Sequence, residues 1–107
     1  PPDSSVFEAS RYGLTEKVHS LLEAGEEPNW VQPRTGLCPL AVAAAQGKVE
    51  CVQLLVTQRA NIDLRDHSGY SPLMHATHNL QFDVARMLLA HGATLTYRVS
   101  ATDSAFF

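Results

Sequence analysis

Apolar and polar positions along the chain follow a pattern that predicts short helices arranged in pairs. A proline at position 39 is followed by apolar residues at helical spacing, and Gly47 suits a left-handed helix end. A second apolar face follows between positions 52 and 56. The pattern therefore predicts a short helix from position 39, a tight turn, and a second helix from Val49 to about Gln58.

The same pattern returns after 33 residues. The segment 36–44 is echoed by the segment 69–77, and 69 minus 36 is 33. The echo predicts another pair of helices, the first from Pro72 and the second over 82–91. Leu55 and Leu88 then occupy equivalent core positions, since 88 minus 55 is also 33. A fixed period of this size indicates a stack of repeated units.

A weaker copy of the unit precedes these two. The run 16–18 matches 50–52, and 50 minus 16 is 34, so the first spacing is one residue longer than the second. This difference places an inserted residue among positions 30–34. Between the units, 60–69 is rich in Asn, Asp and Gly, which predicts a hairpin-like finger with a short extended piece at Ile62 and Leu64.

These residues resemble the ankyrin repeat. The run Gly-x-Ser-Pro-Leu-x-x-Ala at 69–76 and the run Leu-Leu-Ala-His-Gly-Ala at 88–93 match the signature and the period of that family. The resemblance covers about residues 4–98 and implies an all-α, ankyrin-repeat solenoid of stacked helix-turn-helix pairs joined by hairpin-like fingers. It implies one domain over 1–107, with repeat 1 at about 4–32, repeat 2 at about 33–65 and repeat 3 at about 66–98.

Six positions depart from the family pattern where the turns are shaped. Cys38 and Ser71 replace the usual Thr, Ala41 and Met74 replace the usual His, and Leu80 and Arg59 replace glycines at helix ends. The Thr–His hydrogen bonds that are typical of ankyrin turns are therefore expected to be missing. Residues 104–106 lie 33 after 71–73, so we expect 99–107, including Phe106 and Phe107, to begin a fourth repeat or to form a C-terminal cap.

Composition and charge narrow the possible partners. With 107 residues, 45% hydrophobic and 18% charged, the chain is expected to fold as a small globular unit. Its net charge of −3 disfavours nucleic acid and anionic membrane surfaces. No apolar run is long enough to span a bilayer, so we expect a soluble intracellular protein, cytoplasmic or nuclear, and a monomer as an isolated segment.

Candidate catalytic and metal-binding residues are sparse. His75 and His78 lie three apart with His67 and His91 nearby in sequence, but no carboxylate or cysteine completes a ligand set. The two cysteines occupy a turn and a helix packing face and are expected to be reduced core residues, and no glycine-rich phosphate loop is present. We therefore expect no catalysis within this segment, no metal and no cofactor.

The family resemblance implies where a partner binds. Recognition residues of ankyrin repeats lie on the finger tips and on the exposed side of the short inner helix, which together form a concave surface. Carried over residue by residue, this surface includes Tyr12, Trp30, Arg34, Leu37, Gln46, Arg65, His67, Tyr70, His78 and Asn79. Aromatic residues and Arg are typical of binding hot spots. For Trp30, packing across the inserted loop is an equal alternative.

The function implied is a protein–protein interaction module of a larger scaffold, adaptor or regulator, which binds a peptide or a folded partner. An acidic and apolar peptide is the expected ligand. Two alternatives remain: the recruiting arm of an enzyme, such as a kinase or ubiquitin ligase, whose catalytic domain lies elsewhere, and a sensor of a ligand or nucleic acid. Asn29, with Leu21, Glu27 and Pro28 before it, also resembles the spacing at which asparaginyl hydroxylases modify ankyrin fingers.

Overall fold

A computed structural model of the chain describes residues 3–94, 97–100 and 103–105. Between residues 3 and 94 it has six helices and no strand, arranged as three helix-turn-helix units. The helices are α1 Ser5–Arg11, α2 Thr15–Glu23, α3 Pro39–Ala45, α4 Val49–Thr57, α5 Pro72–His78 and α6 Phe82–Ala90. The start of α3 lies 34 residues after that of α1 (39 minus 5), and the start of α5 lies 33 after that of α3 (72 minus 39). The unequal spacing read from the sequence is therefore present in the fold.

The six helices form two layers. In the inner layer α3 packs between α1 and α5, and in the outer layer α4 packs between α2 and α6. The core fills the space between the layers, and both predicted core residues, Leu55 and Leu88, are 0% exposed. None of the helices in the described residues is long and apolar enough to cross a bilayer.

Each inner helix begins at a cap that follows from the local sequence. The Ser71 hydroxyl accepts a hydrogen bond from the Met74 N–H at 3.3 Å, and the Met74 Sδ accepts one from the Ser71 N–H at 3.3 Å. In the second unit the Cys38 Sγ accepts from the Ala41 N–H at 3.4 Å. Cys38 and Ser71, which stand in place of the family's Thr, thus act as N-caps, and Met74 supplies a further acceptor in the third unit.

The turns between helices need a left-handed backbone. Gly13 and Gly47 have φ of 72° and 70°, and Leu80 adopts φ 60° at the equivalent place in the third unit. Arg59, at the end of α4, has φ 71°. Because a side chain in this region costs roughly 1 to 2 kcal/mol, both departures from glycine carry backbone strain.

Two fingers join the units, the first over residues 24–38 and the second over 58–71. Each closes with a backbone hydrogen bond, from Gln32 N–H to Leu37 O at 2.9 Å and from Asp66 N–H to Tyr70 O at 3.0 Å. Four residues lie inside the first closure and three inside the second. The extra residue therefore lies in the tip 33–36, which overlaps the window expected from the sequence.

The expected extended piece at Ile62 and Leu64 is wrong. Ile62 lies in a turn that closes with a hydrogen bond from Leu64 N–H to Asn61 O at 3.3 Å. The Asn61 side chain stabilises this turn by accepting from the Asp63 N–H at 3.1 Å. Both apolar side chains still pack, partly buried, against the core.

After the third unit, β1 Tyr97–Ser100 and β2 Asp103–Ala105 pair as antiparallel strands. Phe106 and Phe107 lie outside the described residues. The assignment of 99–107 to a fourth repeat or a cap stays a prediction.

Candidate partner-binding surface

Several of the predicted binding residues lie along what we call the inner face, which is formed by the exposed side of α1, α3 and α5, by the residues that follow these helices and by the tips of the two fingers. Tyr12, Gln46 and Asn79 follow the last residues of these three helices and are all exposed. Because the inner helices pack side by side, these residues form a row across the three units. Asn79 is fixed by a hydrogen bond from its Nδ2 to the His75 O at 2.8 Å.

The third unit brings aromatic and apolar side chains together on this face. The Tyr70 ring is half-buried, and its centroid lies 5.6 Å from that of His75 and 5.8 Å from that of His78. A cavity of about 170 Å³ opens here, lined by Tyr70, Met74, Thr77 and His78. The cavity has room for one apolar side chain of a partner.

The ring of Tyr70 is positioned by Asp66, a residue that the sequence did not single out. Asp66 Oδ2 lies 2.8 Å from His75 Nε2, and Asp66 Oδ1 accepts from the N–H groups of Ser68 and Tyr70, both at 2.9 Å. The Asp66 side chain is only 8% exposed, so the carboxylate is committed to these contacts. An aspartate before a finger turn is a sequence signal for the backbone bonds, but not for the bond to His75.

The fingers carry basic residues at or next to their tips. Arg34 and His67 are exposed at the tips of the first and second fingers. Arg65 is also exposed, and its Nη1 donates to the Gly69 O at 2.9 Å. The two tips are linked by a hydrogen bond from His67 N–H to Thr35 O at 3.0 Å. The hydrogen bond between the tips therefore fixes the backbone that carries these basic side chains.

Glycine is required at position 36 by this close approach of the fingers. A Cβ there would lie 2.6 Å from the His67 N, and Gly36 has φ 78°. Any side chain would therefore clash with the neighbouring backbone and would also strain the backbone of its own residue.

Trp30 and Leu37 contribute to packing. The Trp30 ring meets the buried Phe7 edge-on at 5.3 Å between centroids, and the Arg11 guanidinium lies 5.0 Å from the Phe7 centroid. Leu37 is half-buried against the core. The position of Trp30 therefore agrees with the alternative that it packs within the fold. Contact of Trp30 or Leu37 with a partner stays a prediction.

The first finger depends on Gln32, which sequence reasoning missed. Gln32 is 3% exposed, its Nε2 donates to Asp3 Oδ2 at 2.9 Å, and its Oε1 accepts from the Thr35 hydroxyl at 2.6 Å. The hydrogen bond from Gln32, aided by the nearby Arg11, holds the pKa of Asp3 below its ordinary value of 3.8. The only sequence signal for this arrangement was the inserted residue nearby.

Asn29 lies at the base of the first finger. Its Oδ1 accepts a hydrogen bond from the Asn61 N–H at 2.7 Å, and its Nδ2 donates one to the Arg59 O at 3.4 Å. Asp63 has the same role in the second finger, where its carboxylate accepts from the N–H and hydroxyl of Thr94 at 3.0 and 2.9 Å. Hydroxylation of Asn29 stays a prediction.

The formal charges are unequally divided between the two sides of the stack. Residues 3–13, 30–47 and 64–80, which make the inner helices and finger tips, contain three Arg and three Asp or Glu, so their net charge is zero. The other residues between 14 and 94 contain four Lys or Arg and seven Asp or Glu, a net charge of −3. The negative charge of the described repeats thus lies on the outer side.

The titratable groups do not assemble into a reactive cluster in the part of the chain that the structure describes. No three His, Cys, Asp or Glu side chains come together there as a metal site. Cys38 and Cys51 are buried free thiols, and burial raises the pKa of both above its ordinary value of 9.0. Such thiols are poor nucleophiles at neutral pH.

Comparison with known proteins agrees with this architecture. The family model described as Ankyrin repeats (3 copies) matches residues 6–99. Ankyrin repeat and SAM domain-containing protein 6 of Rattus norvegicus is 34% identical over 104 residues, which are 94% of this chain and 12% of that protein. Protein phosphatase 1 regulatory subunit 27 of Mus musculus is 34% identical over 93 residues, 87% of this chain and 60% of that protein.

A plant relative shows the same kind of match. E3 ubiquitin-protein ligase KEG of Arabidopsis thaliana is 36% identical over 92 residues, which are 84% of this chain and 6% of that protein. The chain thus spans 60% or less of the length of each of these three relatives. The repeat period, the paired helices, the fingers and the family match agree, and the chain belongs to the ankyrin-repeat family, whose repeats are non-catalytic protein-interaction modules.

Proposed function

We propose that this module recruits a protein partner by binding an acidic and apolar segment of it along the inner face. The observation that carries the proposal is the cavity beside Tyr70, which lies on the same face as the exposed Arg34 and Arg65. The cavity provides a place for an apolar anchor, and the finger tips provide a place for a carboxylate.

The apolar part of the proposed site is organised before binding. The Tyr70 backbone N–H is held by Asp66, and its ring rests against the rings of His75 and His78. A rigid aromatic side chain loses little conformational entropy when a partner covers it. We expect Met74 to adapt to the shape of the anchor because its thioether side chain is flexible.

The charges support an acidic ligand. Arg34 and Arg65 are the exposed charged residues among the described inner helices and finger tips, where Asp3, Glu8, Arg11 and Asp66 are half-buried. The outer side carries the net charge of −3 and would repel the same ligand. An acidic segment is therefore directed to the inner face, and nucleic acid is disfavoured on both sides.

The whole protein is proposed to be a scaffold, adaptor or regulator inside the cell, in the cytoplasm or the nucleus. A second candidate is a recruiting arm of an enzyme, which is favoured by the relatives named as an E3 ubiquitin-protein ligase and as Serine/threonine-protein kinase 12 of Arabidopsis thaliana. A catalytic domain encoded beside these repeats in the full-length transcript would select the second candidate. Its absence would select the first.

The proposal is tested by capturing partners from cell extract with wild-type chain and three variants. Arg34→Glu reverses a finger-tip charge, and Thr77→Phe fills the cavity beside Tyr70. Lys17→Glu is the matched control, because Lys17 is an exposed cation on the outer side. We expect quantitative mass spectrometry to show partners that are lost with the first two variants and kept with the control. Partner sets that are the same for all four proteins would overturn the proposal.

A further inference from the structure

Exposed apolar side chains are concentrated at a second place, which we call the turn edge: the row of turns that join α1 to α2, α3 to α4 and α5 to α6. In the third unit Leu80 is 70% exposed and Phe82 is 59% exposed. The equivalent residues of the second unit are Gly47 and Val49, which lie 33 positions earlier. The third unit thus has larger apolar residues at two positions, and both side chains extend into solvent.

The residue at position 80 is not explained by folding. Leu80 adopts φ 60° in a turn where the other two units have Gly13 and Gly47, so its side chain adds strain. With most of its surface in water, Leu80 also gains little from burial. A strained and exposed apolar residue points to a role outside the fold, because strain of this kind persists mainly at functional sites.

Beside these two residues lies a groove between the turns of the second and third units. It has a volume of about 390 Å³ and is lined by Gly47, Val49, Leu80, Gln81, Phe82, Asp83, Val84 and Arg86. Gln81 lines the groove and reaches the second unit, where its Nε2 donates to the Ala45 O at 3.4 Å. Because the lining comes from both units, a further unit stacked on the other flank of the third would leave this groove open.

We propose that the turn edge of the third unit is a second docking site, in which a protein partner inserts a single uncharged apolar side chain between Leu80 and Phe82. The charge of the lining supports this chemistry. Its two charged residues, Asp83 and Arg86, pair with each other, so the rim offers no net charge to a charged anchor. The groove adjoins the row formed by Tyr12, Gln46 and Asn79, but its lining includes none of these three residues. The proposal does not depend on the function proposed for the inner face.

The exposed area favours a short segment over a second copy of the chain. Leu80 and Phe82 together offer on the order of 250 Å² of apolar surface. A stable protein dimer buries roughly 800 Å² on each partner. The patch is therefore too small to hold two copies together, but it is large enough for one apolar anchor.

The test uses a variant that should fold at least as well as wild type. Leu80→Gly combined with Phe82→Thr restores the residue types of the first unit, Gly13 and Thr15, and removes the strained backbone. Short random peptides displayed on phage are selected on the wild-type chain, after peptides that bind the variant have been removed. This step also removes peptides that bind the inner face.

We expect the recovered peptides to share an uncharged apolar residue and to bind wild type at least about tenfold more tightly than the double variant. Arg34→Glu should leave their affinity unchanged, which separates this site from the inner face. The proposal would be overturned if no recovered peptide depended on Leu80 and Phe82. It would also be overturned if the residue that the peptides share were charged. Self-association of wild type in sedimentation that the double variant abolishes would overturn it as well, because the patch would then hold a second copy.

Discussion

The first finger is held by a buried neutral amide, whereas the second is held by a carboxylate paired with an imidazole. In the first finger Gln32 joins Asp3 to Thr35, and Trp30 covers Phe7. In the second finger Asp66 binds His75 and two backbone N–H groups. Both devices fix a finger against the inner helix of a unit.

The difference accompanies one extra residue in the first tip. With four residues between Gln32 and Leu37, instead of the three between Asp66 and Tyr70, the polar side chain at the base of the tip changes from Asp to Gln. The fold therefore constrains the position of the finger more strictly than the chemistry that holds it. The residues at each finger tip can therefore differ while the position of the finger is kept.

The largest expected effect tests whether the core positions of the second and third units are equivalent. Leu55→Ala and Leu88→Ala each remove a fully buried side chain, and each is expected to lower the free energy of unfolding by roughly 2 to 5 kcal/mol. Urea denaturation followed by circular dichroism measures both. Thermal and urea transitions that do not move for either variant would mean that the packing faces of α4 and α6 are assigned wrongly.

A smaller effect is expected where the fingers touch. Gly36→Ala should cost roughly 2 to 4 kcal/mol, because the new Cβ meets the His67 backbone in addition to the strain of its φ. Gly25→Ala is the matched control, since it has φ 96° and no heavy atom within 4 Å, and it should cost about 1 kcal/mol. Equal losses in the two variants would show that the fingers do not hold each other in place.

The Asp66 contacts distinguish the second finger from the first. Asp66→Ala leaves two backbone N–H groups and His75 without their acceptor and should cost roughly 1 to 3 kcal/mol. Asp66→Asn keeps one oxygen for the N–H groups and should recover more than half of that loss. If Asn were as harmful as Ala in urea denaturation, the carboxylate charge and not the acceptor geometry would hold the finger.

The weakest effect is expected at Asp3, which accepts a hydrogen bond from Gln32 of the first finger. Because the pKa of Asp3 is below 3.8 in the fold, its stabilising contribution is present at neutral pH and is lost as the pH falls through the folded value. We expect the melting temperature of wild type to decline below about pH 4 and expect Asp3→Asn to reduce this decline. Parallel declines for the two proteins would contradict this assignment.

Much of the fold was predictable because it depends on local sequence. Four helices begin where the sequence predicted: α3 at Pro39, α4 at Val49, α5 at Pro72 and α6 at Phe82. Prolines and helical periodicity act within one segment, so they can be read without the rest of the fold. The replacement of glycine by Leu80 was also visible in the sequence. Its positive φ follows directly from the repeat geometry.

The contacts that shape the candidate surface were not predictable in the same way. The bond between Asp66 and His75, and that between Asp3 and Gln32, join residues whose side chains meet only after a finger has folded onto a helix. The turn at Ile62 was missed because the Asn61 side chain competes locally with an extended backbone. Sequence periodicity carries no information about such partners.

Binding at the inner face is tested most directly by calorimetric titration of a captured partner segment into wild type, Arg34→Glu and Lys17→Glu. The two variants remove one positive charge and add one negative charge each, on opposite sides of the stack. We expect Arg34→Glu to weaken the affinity at least about tenfold and Lys17→Glu to change it less than about twofold. Equal affinities for Arg34→Glu and wild type, or a greater loss with Lys17→Glu, would contradict binding at the inner face.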